Sequence, residues 1–290
     1  MNAQTHTIGS ILKVSEAWLA QRGVDQPKVD AGTLLAHALG MKRLNLYLQT
    51  DRPLNEPELA AFRPLLQRRG RREPVSRILQ RKGFWNHDFF VDGDVLSPRA
   101  DSEQLVALSL ELELPTEAKV LDLCTGSGCL AISLAAERPQ WRVVASDISE
   151  PALAVARRNA RECVPDQTLE WVHADGLQGL GVGFDLIVCN PPYIGWSERP
   201  TLDPEVAHHD PELALFSGDD GLDLIRRLIP ESKDHLSERG WLLMEHGHQQ
   251  GDALRSLFHD AGFYDVATHR DLGQRERVTL GRRSPIDQTA

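Results

Sequence analysis

The sequence has no apolar run close to the ~18 residues that a membrane-spanning helix requires. Residues 1–10 are polar and lack the charged and apolar regions of a secretory signal, so we expect a cytoplasmic protein without membrane contact. Cysteine is scarce, and the four thiols form no C-x-x-C pair and have no histidine-rich spacing beside them. Neither a disulfide framework nor a zinc site is predicted, and reduced thiols are expected at Cys124, Cys129, Cys163 and Cys189.

Basic residues are in the minority, with 32 Lys and Arg against 42 Asp and Glu and a net charge of −10. This balance predicts no stable binding to nucleic-acid backbones. Residues 63–82 are a local exception, since they contain eight Lys and Arg and a single acid, Glu73. Two interpretations stay open for this basic segment: a solvated helix face, or a docking surface for an acidic partner.

The 290 residues, of which 41% are hydrophobic, are enough for one large domain and one small one. Residues 1–82 are predicted to be helical. Apolar residues recur at helical spacing from Ile8 to Leu19, and a second helix is expected to begin at Pro27 and end at Gly40. Pro64 is expected to kink or restart a third helix.

Residues 83–97 are rich in aromatic and β-branched side chains around Asp92-Gly93, which predicts a β-hairpin linking the two domains. Asp101, three residues before Gln104, is expected to cap the helix that follows.

From Lys119 onward, strand-like runs alternate with helical ones, a pattern typical of an α/β fold whose parallel sheet is covered on both faces. The end of the chain contains two further strand-like runs without a helix between them, which predicts a terminal antiparallel hairpin, and residues 284–290 are expected to form a flexible tail. The predicted strands are 120–123, 142–146, 169–173, 184–189, 241–244, 264–269 and 277–281.

Polar residues follow several of these strands. The first strand runs into a glycine loop that ends at Gly126 and Gly128, which allows a ligand close to main-chain N–H groups at a helix start. No Gly-Lys-Ser/Thr follows, which argues against a phosphate-binding P-loop. Asp147, 21 residues after Gly126, suits the two hydroxyls of a ribose, and Asp175 suits an adenine amino group. Because strand ends converge at one edge of such a sheet, we expect one ligand site there.

The tetrapeptide Asn190-Pro191-Pro192-Tyr193 follows the fourth strand. The Asn190 side chain and the Pro191 main chain each offer a carbonyl oxygen, and Tyr193 offers a flat face. These groups suit the two N–H bonds of a planar amide or aromatic amine, whose lone pair must be aimed by the protein. A strand that simply ends in a proline-rich turn is the alternative.

Residues 97–283 resemble the seven-stranded, Rossmann-like class I S-adenosylmethionine-dependent methyltransferases, and the tetrapeptide is shared by adenine-N6 nucleic-acid enzymes and by protein glutamine-N5 methyltransferases of the HemK type. Other segments resemble the enzymes that methylate the glutamine of the Gly-Gly-Gln motif in class-I peptide chain release factors. They are 72–75, Phe84-Trp85, 95–103, 245–247 and 277–282.

The resemblance implies a methyltransferase domain at residues 98–283, a substrate-recognition domain at residues 1–82, S-adenosyl-L-methionine as cofactor and a monomer that acts on class-I release factors. The implied catalytic residues are Asn190, Pro191, Pro192 and Tyr193. The implied cofactor site contains Asp122, Cys124, Thr125, Gly126, Ser127, Gly128, Asp147, Ile148, Asp175, Gly176 and Asn190, and no metal is implied.

The chain departs from the release-factor enzymes at two positions, since Ala100 replaces a usual Pro and Cys124 replaces the first glycine of the cofactor loop. Segments 124–129 and 217–222 also resemble a sister enzyme that methylates a glutamine of a large-subunit ribosomal protein. The glutamine of that ribosomal protein and an adenine in a nucleic acid therefore remain alternative substrates.

Further alternatives concern other motifs. The glycine loop alone would also suit an NAD-dependent dehydrogenase or a cofactor-binding scaffold. The run His208-His209-Asp210 is a candidate metal site, although adjacent histidines lack a common face. Glu245-His246 suits either a general base or packing, and the resemblance implies that Pro98, Arg99 and Glu103 help to close the pocket.

Overall fold

The computed structural model describes residues 6–284, which fold as two compact units. The first unit contains the described chain up to Gln80 together with Asp203–His209, and the second contains Arg81–Leu202 and the described chain from Asp210 onward. The boundary at Gln80 lies two residues before the predicted end of the helical domain. The return of Asp203–His209 to the first unit has no counterpart in the sequence pattern. The expected flexible tail lies outside the described residues, apart from Ser284.

The first unit is helical. Thr7 and Asn55 accept main-chain hydrogen bonds in capping boxes and so fix the starts of two of its helices. Another helix begins at Pro27, because the first residue of a helix needs no N–H for a hydrogen bond within the helix. It ends at Ala38, two residues before the predicted end at Gly40. The helices are α1 (Ile8–Ala20), α2 (Pro27–Ala38), α3 (Arg43–Leu48), α4 (Glu56–Gly70) and α5 (Val75–Leu79).

One apolar core joins these helices, and Ile8, Leu34 and Phe62 are buried in it. Pro64 lies inside α4, which continues through it, so the expected restart of the helix at this proline is wrong. A proline removes one main-chain hydrogen bond, and the buried side chains Leu59 and Phe62 hold the helix against the core on either side of that loss.

Carboxylates of the first unit neutralise part of the basic segment at 63–82. Arg69 donates from Nε to Asp30 Oδ2 at 2.7 Å and from Nη2 to Glu205 Oε1 at 2.9 Å. Arg72 donates to both oxygens of Glu205, at 2.7 and 2.6 Å. The acidic partner of these two arginines is therefore a residue of the same chain, and neither of the two sequence interpretations describes them.

A two-stranded antiparallel hairpin opens the second unit, formed by β1 (Arg81–Phe84) and β2 (His87–Phe90). Its turn lies at Trp85 and Asn86, so the turn predicted at Asp92-Gly93 is wrong. Asp92 does form a turn, but a local one after the hairpin, in which its side chain accepts a hydrogen bond from the Asp94 N–H at 3.0 Å.

The rest of the second unit alternates strands and helices. The elements are α6 (Glu103–Glu111), β3 (Lys119–Leu123), α7 (Cys129–Glu137), β4 (Arg142–Asp147), α8 (Glu150–Cys163), β5 (Glu170–His173), β6 (Phe184–Cys189), α9 (Pro204–His209, in the first unit), α10 (Asp223–His235), β7 (Leu236–Glu245), α11 (Gly251–Asp260), β8 (Phe263–Arg270) and β9 (Glu276–Arg283). A short 3-10 turn, Ala100–Ser102, precedes α6, so Asp101 lies within that turn and does not cap the helix as expected.

Seven strands form one sheet in the order β5-β4-β3-β6-β7-β9-β8. The strands from β5 to β7 are parallel, and β9 pairs antiparallel with both β7 and β8. The predicted α/β fold with a terminal antiparallel pair is therefore confirmed. Within residues 6–284, no helix is both long enough and apolar enough to cross a bilayer.

The register between β3 and β6 decides where the polar strand ends meet. Leu123 pairs with Cys189, so the glycine loop and the Asn190 tetrapeptide leave the sheet side by side. β3 is also the strand at which the sheet order reverses, with β4 on one side and β6 on the other. Ligands of open α/β sheets bind at such a point, outside the carboxyl ends of the strands.

We predict that Glu205→Gln destabilises the first unit by about 1.5 to 3 kcal/mol, because the buried Arg69 loses a charged partner. Calorimetric or urea unfolding at pH 7 would measure this. Glu56→Gln is the matched control, since its pair with Arg63 is exposed and should contribute little.

The effect of Glu205→Gln should also depend on pH. Although burial opposes the shift, hydrogen bonds from Arg72 and then Arg69 lower the pKa of Glu205 from 4.5 to about 2. The stabilisation is therefore complete above pH 4.5 and is lost as the pH falls towards 2. Equal stabilities of wild type and variant at pH 7 would contradict this role of Glu205.

Candidate active site

Asp122, near the end of β3, holds the glycine loop that follows this strand. One oxygen of this fully buried carboxyl accepts hydrogen bonds from Thr125 Oγ1 at 2.6 Å and from the Ala131 N–H at 3.0 Å. The other oxygen has no hydrogen-bond partner among the described residues, and burial raises the pKa of the group to about 7. Asp122 thus joins the loop to the start of α7 and does not face the cavity.

Cys124 and Gly128 show how tightly this loop is folded. Cys124 has a φ of 61°, in the left-handed region that glycine enters without penalty and other residues rarely do. Gly128 has a φ of 81°, and a Cβ there would approach Ala156 Cβ to 3.0 Å. Cys124 therefore keeps the backbone conformation that a glycine would adopt, with a conformational cost of about 1 kcal/mol or more.

Asp147 ends β4 opposite the loop. It accepts hydrogen bonds from the Gly126 N–H at 2.8 Å and from the Ser149 N–H at 2.9 Å. Burial raises the pKa of this carboxyl, and the hydrogen bonds from the main-chain N–H groups oppose the rise. Each oxygen keeps lone-pair capacity for a ligand hydroxyl.

The next wall is formed by Ile148, Asp175 and Gly176. Ile148 exposes 47% of its surface, so it offers an apolar face to a planar ring. Arg227 of α10 donates two hydrogen bonds to Asp175, at 2.5 and 3.3 Å, and the first of these contacts lowers the pKa of that carboxyl. Gly176 has a φ of 60° and faces the Arg227 side chain.

The Asn190 side chain is held by one hydrogen bond. Its Nδ2 donates to Ser102 Oγ at 3.0 Å. Within residues 6–284, neither Asn190 Oδ1 nor the Pro191 carbonyl oxygen accepts a hydrogen bond. Both oxygens that are predicted to act as acceptors therefore have no donor within the described chain, and of the two residues only Asn190 lines the cavity.

Tyr193 is fixed at both ends. Its hydroxyl donates to Glu245 Oε1 at 3.3 Å, and its carbonyl accepts from Gln250 Nε2 at 2.9 Å. Gly221 lies directly against that carbonyl, since a Cβ at Gly221 would stand 2.1 Å from the Tyr193 oxygen. The tetrapeptide is therefore a braced segment and not a free turn.

These elements surround a cavity of about 370 Å³, within the range of small-molecule sites. Ten of the fourteen residues predicted for the site line it: Cys124, Thr125, Gly126, Ser127, Asp147, Ile148, Asp175, Gly176, Asn190 and Pro192. Four do not line it: Asp122, Gly128, Pro191 and Tyr193.

Other lining residues were not predicted. Ser102 carried no sequence signal beyond its place in the family-like segment 95–103, and Arg227 looked like an ordinary helix charge. The hairpin interpretation concealed the wall formed by residues 93–96. Leu213 and Phe216 follow the tetrapeptide at a distance that no local pattern relates to it.

The structure also shows the surroundings of the other two candidate motifs, Glu245-His246 and His208-His209-Asp210. The nitrogens of buried His246 contact the Gly247 carbonyl at 2.8 Å and Thr279 Oγ1 at 3.0 Å, and burial lowers the pKa of the ring. Asp210, from the candidate metal run, pairs with Arg99 at 2.6 Å. Among the described residues, no group of three potential ligands could hold a metal ion.

The cavity suits a nucleoside with a charged tail. Asp147 provides an acceptor for a ribose, Ile148 an apolar face for a base, and the loop at 124–128 main-chain N–H groups for the tail. Among the described residues, the wall has no lysine, which a polyphosphate would favour, and its arginine, Arg227, is paired with Asp175. The residues therefore fit S-adenosylmethionine.

Comparisons with known proteins define the class. Residues 101–202 match the family model described as "Methyltransferase small domain". The solved hMettl16 catalytic domain in complex with MAT2A 3'UTR hairpin 6 has the same fold, with a TM-score of 0.55 and 16% identity over 70% of this chain and 77% of that one. The second unit is a methyltransferase domain that uses S-adenosylmethionine.

Two further comparisons define the family within this class of methyltransferases. Residues 10–79 match the model described as "PrmC N-terminal domain". The release factor glutamine methyltransferase of Geobacter sulfurreducens is 40% identical, covering 95% of this chain and 96% of that relative, and that of Xylella fastidiosa strain Temecula1 is 43% identical over 88% and 93%. The chain belongs to the release factor glutamine methyltransferase family.

We predict that Asp147→Ala weakens cofactor binding at least tenfold, because charge-assisted hydrogen bonds of about 1.5 to 3 kcal/mol are lost. Calorimetric titration with S-adenosylmethionine would measure this. Asp147→Asn should bind with intermediate affinity, since it keeps one oxygen acceptor, and the exposed Asp166→Ala serves as control. Unchanged affinity in Asp147→Ala would remove this residue from the cofactor site.

Proposed function

We propose that this enzyme transfers the methyl group of S-adenosyl-L-methionine to the side-chain nitrogen, N5, of the glutamine in the Gly-Gly-Gln motif of class-I peptide chain release factors. The observation that carries the proposal is the orientation of Asn190. Its Nδ2 is engaged by Ser102, so the amide oxygen is the group left to meet a substrate N–H. The relatives' names supply the identity of the substrate.

The chemistry needs orientation more than it needs a base. An amide nitrogen is a weak nucleophile because its lone pair is delocalised into the carbonyl. Asn190 Oδ1 and the Pro191 carbonyl would each accept one N–H, which turns the lone pair out of conjugation and towards the methyl carbon. Their attraction for the N–H groups grows as positive charge develops on nitrogen.

Bound S-adenosylmethionine supplies an electrophilic methyl group on a sulfonium. The new N–C bond would replace the S–C bond, whose electron pair would stay on sulfur. The methylated nitrogen then releases one N–H proton to solvent. Tyr193 would press on the amide plane, and positioning of this kind contributes up to about 7 to 11 kcal/mol.

Two further features of the proposal concern the setting of the reaction. We infer that the protein acts as a monomer in the bacterial cytoplasm, where release factors work. The four cysteines are free, in keeping with a reducing compartment.

We predict that labelled cofactor will transfer its methyl group to an intact class-I release factor and not to its Gln→Ala variant at Gly-Gly-Gln. A large-subunit ribosomal protein and an adenine-rich RNA, assayed in parallel, should remain unlabelled. Mass spectrometry should locate the added methyl on the glutamine side chain. Label on the ribosomal protein or on the RNA, with none on the release factor, would overturn the substrate assignment.

We also predict that Asn190→Ala lowers kcat by at least about 100-fold, since an acceptor that acts on the developing charge is lost. Cofactor affinity should change much less. Asn86→Ala is the control, because its side chain donates to Glu137 and not to the cavity. Near-normal turnover of Asn190→Ala would contradict its proposed role.

A further inference from the structure

Glu245, at the end of β7, is a buried carboxyl for which the chemistry above has no use. It exposes 1% of its surface and does not line the cavity. Oε1 accepts the hydrogen bond from Tyr193, whereas Oε2 accepts none from the described residues. A buried carboxyl with so few partners is costly and needs a compensating role.

Ser102 connects this carboxyl to Asn190. It exposes 2% of its surface and accepts the hydrogen bond from Asn190 Nδ2 at 3.0 Å, and its hydroxyl lies close enough to the Glu245 carboxyl to lower the pKa of that group. Glu245 therefore holds Tyr193 directly, and its second oxygen is the free acceptor next to the serine that holds Asn190.

The direction of these hydrogen bonds follows from the charge on Glu245. A carboxylate only accepts, so Tyr193 donates its hydroxyl proton to it, and the Ser102 proton, which has no acceptor among the described residues, would go to the free oxygen of Glu245. The Ser102 oxygen can then only accept from Asn190, which turns Nδ2 inwards and Oδ1 outwards. An amide is nearly symmetric in shape, so packing alone would not distinguish its two orientations.

We propose that Glu245 and Ser102 are positioning residues, which together fix the Asn190 amide with its oxygen towards the substrate and hold the Tyr193 ring beside it. The proposal rests on the acceptor role of Asn190. Glu245 does not line the cavity, and Ser102 lines it but acts on the reaction through Asn190. Removal of the negative charge from Glu245 allows it to donate to Ser102, and Ser102 to donate to Asn190, which then presents its NH₂ group to the substrate N–H bonds.

Several charged groups act on Glu245. Burial raises the pKa of this carboxyl to about 7, while the Ser102 hydrogen bond, the positive charge of Arg277 on β9 and the Tyr193 hydroxyl oppose the rise, and Asp101 adds to it. Burial raises the pKa of Tyr193, and the positive charge of Arg99 opposes that rise. Burial lowers the pKa of the neighbouring His246.

Two variants test the proposal on the full-length enzyme with the release factor as substrate. Ser102→Ala and the isosteric Glu245→Gln should each lower kcat by about 10- to 100-fold, as expected when reacting groups are misoriented. Cofactor affinity, measured by calorimetry, should stay within about twofold. Ser133→Ala, a buried serine in α7 without a hydrogen-bond partner among the described residues, and Glu137→Gln, whose carboxyl accepts from Trp85, are the matched controls.

The pH profile separates positioning from a structural role. At saturating cofactor, wild-type kcat should fall as the pH drops through about 7, because protonation makes Glu245 a donor. Glu245→Gln should be uniformly slow and lack this limb. Asp122 also has a pKa of about 7, but it supports the cofactor loop, so its titration should appear in cofactor affinity.

The outcomes are distinct. Wild-type kcat in both variants, or the same pH limb in Glu245→Gln, overturns the proposal. A lower melting temperature with kcat unchanged shows a purely structural role and also overturns it. Failure of the substrate assignment would appear differently, as absence of methyl transfer in the wild-type enzyme itself.

Discussion

The pairing of Leu123 with Cys189 is the constraint on which the site depends. Parallel pairing at this register brings the residues after β3 and β6 to the same edge of the sheet, so the glycine loop and the tetrapeptide start next to each other. A slip of one residue would turn every side chain of β6 to the opposite face and move Asn190 away from the cavity. Since β6 is apolar on both faces, the opposition to such a slip comes from close packing, because the side chains that would change places differ in size and shape. The hydrophobic core thus sets the geometry of the chemistry.

The segment Asp203–His209 lies beyond the tetrapeptide in the sequence but is part of the helical unit. It follows the matched methyltransferase region, which ends at residue 202, and it belongs by its contacts to the helical unit. Glu205 holds it there through Arg69 and Arg72. The sequence alone assigns the positive charges of Arg69 and Arg72 to a solvated face or to an acidic partner, but in the structure both arginines pair with a carboxylate of the same chain. Glu205, twelve residues after Tyr193, therefore belongs by its contacts to the unit whose residues 10–79 match the model described as the PrmC N-terminal domain.

Hydrophobic periodicity predicted the sheet well, because a strand buried on both faces has few alternatives once its apolar run is bounded by polar residues. It placed the hairpin turn wrongly, since Asp92-Gly93 carries turn chemistry that the structure uses in a local loop, while Trp85 takes the turn position with a φ of 51°. The site was predictable where residues follow strands directly, as Asp147 and Asn190 do. It was not predictable where contact depends on tertiary pairing. Ser102 reaches Asn190 across 88 residues of sequence, and no local pattern encodes that distance.

The division of labour among the carboxyls follows from burial. Asp147 faces the cavity, and burial raises the pKa of this carboxyl although main-chain N–H groups oppose the rise. Asp122 and Glu245 lie beneath the surface of the site, where burial raises the pKa of each to about 7, and each holds a segment that does face the ligand. Neither is placed to take a proton from a substrate, and the reaction does not require it, since the methylated amide is acidic enough to lose its proton to water. The negative charge in this site therefore serves to set the direction of hydrogen bonds. An enzyme that acts on so weak a nucleophile depends on the orientation of one asparagine amide, and a buried acceptor that cannot donate is the simplest way to fix it.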